Sequence, residues 1–82
     1  MTLDDAINDL SQRIKRASPD AVIKVQRRSN ESAAIRAYAP ADHEEAIKAA
    51  TQELTLSLLT DEGIDVQVLV YDIATSLSKE AQ

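Results

Sequence analysis

The chain has 82 residues, a formal net charge of −5 and a hydrophobic content of 44%. A chain of this length forms one small domain that hides only about 60–65% of the surface exposed on unfolding. The absence of cysteine and the single histidine exclude disulfide frameworks, thiol nucleophiles and multi-histidine metal sites. The single glycine excludes the glycine-rich loops that bind nucleotide phosphates.

We expect neither a membrane-spanning segment nor an export signal. It has no run of roughly 18 apolar residues for a transmembrane helix, and residues 1–9 hold three acids where a signal peptide needs positive charge. We therefore expect a cytoplasmic protein without a membrane partner.

A first helix is predicted over Leu3–Ala17, because its apolar residues recur at spacings of three and four. Thr2 is the predicted N-cap, with Asp5 three residues later, and Pro19 prevents the helix from continuing.

Two strands follow, because the apolar pattern changes to a period of two. The first covers Val22–Arg28, with Ile23 and Val25 facing inward. The polar segment 29–32 predicts a turn, and residues 33–39 return as the second strand. The inner face of this second strand is expected to be Ala33, Ile35, Ala37 and Ala39.

A second helix is predicted after Pro40, opened by a capping box formed by Asp42 and Glu45. Its expected buried stripe is Ala46, Ile47, Ala50, Leu54 and Leu58. The alternation of leucines in residues 54–58 is also compatible with a strand, but no turn signal separates them from the helix. If this segment is helical, Leu56 points away from the core.

Gly63 is the predicted helix stop, and Ile64–Tyr71 is the predicted third strand. Residues 73–82 are expected to form a short helical turn or a frayed tail. The order αββαβ predicts an α+β two-layer sandwich, a single domain over residues 1–82 with both helices on one face of a three-stranded sheet. We expect the first strand to lie between the other two.

In that arrangement one sheet face has no helix on it. The face is expected to carry a mixture of basic, aromatic and polar side chains: Val22, Lys24, Gln26, Arg28, Ala34, Arg36, Tyr38, Asp65, Gln67, Leu69 and Tyr71. The two tyrosines are expected to pack on each other as cross-strand neighbours rather than to hold bases.

Charge is divided unevenly along the chain. Residues 13–36 hold seven of the nine basic residues against Asp20 and Glu31. This basic segment is expected to attract phosphates, an acidic surface or the acidic end of another copy, or only to keep the sheet face hydrated.

Catalytic groups are scarce. His43 stands beside Asp42, Glu44 and Glu45, but no second histidine follows four residues later to complete a zinc motif. We expect no catalytic residue, no metal, no cofactor and no small-molecule substrate.

The αββαβ order is similar to that of type II KH-like RNA-binding domains and of the ring-building modules of bacterial secretion assemblies. The similarity is one of topology, and the glycine-flanked loop with which KH domains hold RNA is absent here. It implies an RNA or a larger protein assembly as partner.

The sequence therefore favours a non-enzymatic protein-interaction or assembly module, a homo-oligomer or a docking domain in a complex. It would use the uncovered face, an edge strand or Leu56. RNA or ribosome binding is the alternative. The predicted partner-binding residues are Lys24, Arg28, Arg36, Tyr38, Leu56, Gln67, Leu69 and Tyr71.

Overall fold

The computed structural model describes residues 1–74 and shows the predicted αββαβ order. The helices are α1 (Leu3–Ala17) and α2 (Glu44–Ser57), and the strands are β1 (Val22–Arg27), β2 (Ser32–Ala39) and β3 (Asp65–Asp72). The protein is thus of the α+β class, with two helices and a three-stranded mixed sheet. The tail predicted for residues 73–82 lies, after residue 74, outside the described residues.

Helix α1 begins as predicted. The hydroxyl of Thr2 accepts a hydrogen bond from the Asp5 amide at 3.2 Å, and the Asp5 carboxylate accepts one from the Thr2 amide at 3.4 Å. These two bonds form a capping box, which satisfies amides that the first helical turn leaves without intrahelical partners. One face of the helix is buried, through Leu3, Ala6, Ile7, Leu10 and Ile14.

The predicted start of α2 is wrong. A 3-10 turn over Ala41–His43 precedes the helix, which begins at Glu44 without a side-chain capping bond. Asp42 therefore lies in the turn, two residues before the helix, and forms no capping box with Glu45. Of the predicted buried stripe, Ile47 and Leu58 are buried, Ala50 and Leu54 are partly buried and Ala46 is exposed. Thr51, which was not predicted, is also buried. The Thr51 hydroxyl donates to the Ile47 carbonyl at 2.9 Å, so this buried hydroxyl has a hydrogen-bond partner.

The leucine-rich end of α2 is helical. The helix runs to Ser57 and continues as a π-helical segment over Leu58–Glu62. Gly63 ends it in the left-handed conformation, with φ of 67°, which a side chain would disfavour.

The sheet order is β1-β2-β3, so β2 and not β1 is the central strand. Strand β2 pairs antiparallel with β1 and parallel with β3, and α2 forms the crossover between the two parallel strands. The expectation that the first strand is central is wrong, and the composition of the two hairpin strands explains why. Strand β2 is less polar than β1, so enclosing it between two strands removes fewer polar side chains from water. Strand β1 holds Lys24, Gln26 and Arg27, which remain hydrated at the edge of the sheet.

The core lies between the helices and the inner face of the sheet. Strand β2 contributes the predicted residues, Ala33, Ile35, Ala37 and Ala39, all of them buried. Three of these are alanines, whose small side chains allow the helices to approach the sheet closely. Neither helix in residues 1–74 is long and apolar enough to cross a lipid bilayer.

Candidate functional site

The outer face of the sheet, opposite the helices, is arranged in cross-strand rows. Register places Val22, Tyr38 and Tyr71 in one row, and Lys24, Arg36 and Leu69 in the next. A third row holds Gln26, Ala34 and Gln67. Most of the predicted partner-binding residues are therefore brought together on one surface.

The two tyrosines of this outer face, Tyr38 and Tyr71, stack on each other. Their ring centroids are 5.4 Å apart and their planes are inclined by 23°, so they stack as predicted for cross-strand neighbours. Tyr71 is 37% exposed, but Tyr38 is only 1% exposed. The centre of the outer face is therefore not an open platform, and Tyr38 has no free surface on which a base or a partner side chain could pack.

Two cations lie beside the buried tyrosine. Lys24 Nζ is 5.5 Å from the centroid of the Tyr38 ring, within the range of a cation–π interaction. Arg36 is the register partner of Lys24, and its Nε is buried without a hydrogen-bond acceptor among the residues described.

Two predicted residues lie away from the outer face. Arg28 follows the end of β1 and sits in the turn, where its amide donates to the Ser32 carbonyl at 2.9 Å. Leu56 is on α2 and points away from the core, with 61% of its surface exposed. The structure does not bring these two residues together with the rows of the outer face.

Large apolar side chains are exposed mainly at the two sides of the sheet. Val25 on β1 is 43% exposed, although the sequence pattern predicted it to face the core. It does face the helix side, but β1 is an edge strand and the helices leave that end of it uncovered. Leu59 is 52% exposed and lies one helical turn after Leu56. The spacing of three between these leucines was a signal in the sequence for an apolar strip, and only Leu56 was identified from it.

A depression separates α1 from the edge strand β1. Its volume is about 500 Å³, and it is lined by Ser11, Gln12, Lys15, Arg16 and Ile23. Its floor is apolar, through Ile23 and the stems of the basic side chains. We call this surface, together with Val25, the basic edge.

A second surface runs between α2 and the edge strand β3. It consists of two depressions of about 250 and 210 Å³, which share Gln52 and Thr55 and are therefore continuous. The remaining lining residues are Lys48, Thr51, Leu56, Leu59, Asp65, Val66 and Val68. We call this surface the acidic edge.

The two edges are named for the charges of the chain segments in which their residues lie. Residues 13–28, from α1 to the start of the hairpin turn, contain six basic residues and one acid. Residues 44–72, from α2 to β3, contain seven acids and one base, Lys48. Arg16 on the basic edge and Asp65 on the acidic edge line their depressions without an ion pair to any residue in 1–74.

One close pair of polar side chains was not anticipated from the sequence. Ser18 Oγ and His43 Nδ1 are 2.8 Å apart, and Ser18 is fully buried. The arrangement resembles a nucleophile and its base, but a buried hydroxyl cannot reach a substrate. Because Ser18 caps the end of α1 and His43 precedes α2, this hydrogen bond ties the two helices together. Within residues 1–74, no three side chains of the metal-binding types are grouped so that they could hold an ion.

Comparison of the chain with protein-family models, with curated proteins and with solved structures gives no match.

Proposed function

We propose that this domain is a non-enzymatic protein-interaction or assembly module, acting in the cytoplasm, that docks through the edges of its sheet. The observation that carries the proposal is the position of the exposed apolar side chains. Val25, Leu56 and Leu59 lie beside the edge strands, whereas the central tyrosine of the outer face is buried.

Edge strands supply the backbone hydrogen-bonding groups of such an interface. In the three-stranded order β1-β2-β3, β1 and β3 each pair on only one side within the described residues. The backbone N–H and C=O groups on the other side of an edge strand are available to a strand from another chain. Apolar side chains next to that edge add the burial that stabilises strand addition.

The small size of the domain also supports the proposal that it docks on a partner. The core is built largely from alanine and aliphatic residues, and the chain contains no phenylalanine or tryptophan. A domain this small gains a large fraction of its stability from any partner that binds only its folded state.

RNA binding remains the alternative prediction, and the structure adds no observation in its favour. Tyr38 has almost no accessible surface, so Tyr71 is the one tyrosine on the outer face with an accessible ring.

Site-specific photo-crosslinking in cells tests the proposal. A benzophenone amino acid is placed at Val25 or Leu59, with Gln67 as the outer-face position and the exposed Ala46 on α2 as the control. We expect discrete protein adducts from Val25 and Leu59 and none from Ala46. Adducts from Gln67 alone, or from no position, would contradict docking through the edges.

A further inference from the structure

The two edges of the sheet are complementary to each other. One edge joins an apolar depression to Lys15 and Arg16, and the other joins an apolar strip to Asp65, while Lys48 beside that strip is paired with Glu44. We infer that the partner of the basic edge is the acidic edge of a second copy of this chain, in a repeated head-to-tail contact. This inference rests on the proposed function and names the partner.

Charge decides between the possible pairings. A symmetric contact of two basic edges would place Arg16 and its basic neighbours against the same residues of another copy. A symmetric contact of two acidic edges would bring together the Asp65 carboxylates of the two copies, which form no ion pair within residues 1–74. Like charges oppose both, whereas the basic edge against the acidic edge brings opposite charges together.

The strand directions fit this contact. Strand β1 is antiparallel to β2, and β3 is parallel to β2, so β1 and β3 run in opposite directions. A second copy in the same orientation therefore presents its β1 antiparallel to β3 of the first, with the helices of both copies on one side. The sheet would continue from copy to copy through an antiparallel junction.

The side chains at that junction are also compatible. Ile23 and Val25 point to the helix side of β1, and Val66 and Val68 point to the helix side of β3. Joining the edges brings these apolar residues together and places Leu56 and Leu59 near the depression beside α1. Such a contact does not use the same surface twice, so each added copy leaves one edge of each type available, and the assembly grows beyond a dimer into a ring or a filament.

The test uses one variant for each edge. Val25→Asp places a carboxylate on the basic edge, and Leu59→Lys places an ammonium group on the acidic edge. Both sites are about half exposed, so neither substitution opens a cavity in the core. Circular dichroism and thermal melting of each variant confirm that it is folded.

Sedimentation velocity is measured up to about 1 mM, where a complex with a Kd of about 1 mM is well populated. The wild-type chain is expected to form species larger than a dimer, and added salt is expected to weaken them severalfold. Each variant alone is expected to be monomeric, because one of its edges no longer binds. An equimolar mixture is expected to form a species of two chains and nothing larger, since each variant keeps the edge that the other has lost. The altered edges regain at most one exposed ion pair, which contributes little.

Several outcomes would overturn the inference: a monomeric wild-type chain at the highest concentration, a dimer formed by either variant alone, a monomeric mixture, or a mixture that grows beyond two chains. A monomeric wild type whose Val25 or Leu59 position still crosslinks to another protein would remove the head-to-tail contact and leave the proposed function standing. A monomeric wild type without adducts would remove both.

Discussion

Similar residues on the central strand and on the first edge strand of this sheet differ in how deeply they are buried. Val25 on β1 and Ile35 on β2 are register partners on the helix side, yet Ile35 is fully buried and Val25 is 43% exposed. The helices cover the centre of the sheet, and α1 does not extend over the end of β1. Position in the sheet, rather than residue type, separates the residues that hold this fold together from those available to a partner.

The largest expected effect comes from truncating these two partners. Ile35→Ala removes buried methyl groups and leaves a cavity, so we expect it to lower the free energy of unfolding by about 2–5 kcal/mol. Val25→Ala, its matched control, should lower it by less than about 1 kcal/mol. Urea unfolding measures both, and equal costs at the two sites would show that β1 is covered as well as β2.

A smaller effect is expected at the junction of the helices. Ser18→Ala removes the buried hydroxyl and leaves His43 Nδ1 without this partner, which should lower the free energy of unfolding by about 1–2 kcal/mol. Ser11→Ala, in the depression beside α1, removes a hydroxyl from an open surface and should be nearly neutral. If Ser18→Ala were as neutral as Ser11→Ala, the hydrogen bond would not hold the helices together.

The two predicted capping sites give a further contrast. Thr2→Ala removes a capping bond present in the structure and should lower the free energy of unfolding by about 1 kcal/mol. Asp42→Ala should change it by less than about 0.5 kcal/mol, because Asp42 makes no capping bond to α2. Thermal melting of both variants measures the difference, and a larger loss from Asp42→Ala would contradict the 3-10 turn before α2.

The smallest expected change is chemical and concerns the outer face. Tetranitromethane should nitrate Tyr71 and leave Tyr38 unmodified in the folded chain, because Tyr38 is almost completely inaccessible. Tyr71→Phe should abolish nitration while changing the free energy of unfolding by under about 0.5 kcal/mol. Nitration of Tyr38 at the same rate as Tyr71 would return the outer face to consideration as a docking surface.

Local signals in the sequence were sufficient for much of the fold. The spacing of apolar residues, the Thr2 cap and the Gly63 stop predicted three features that the structure shows. The uncertain leucine segment was also predicted correctly as helix, because no turn signal interrupts it. These features depend on residues close together in the chain, which sequence patterns describe well.

Features that depend on distant contacts, and one local turn, were predicted less well. The alternation in β1 placed Val25 on the correct side, but its burial depends on how far α1 extends over the sheet. The spacing of Asp42 and Glu45 fitted a capping box, but the turn after Pro40 decided where α2 begins. The strand order was wrong although β2, with its alanines and one charge, carried the composition of a central strand.

Concentration-dependent NMR tests whether the sheet edges, and not the outer face, are the docking surface. Amide shifts of the ¹⁵N-labelled chain are compared between dilute and concentrated samples. We expect shifts to change along β1 and along the α2–β3 side, and those of Ala34 and Arg36 on the central strand to stay constant. Changes centred on Ala34, Arg36 and Tyr38, with β1 and β3 unaffected, would contradict docking through the edges.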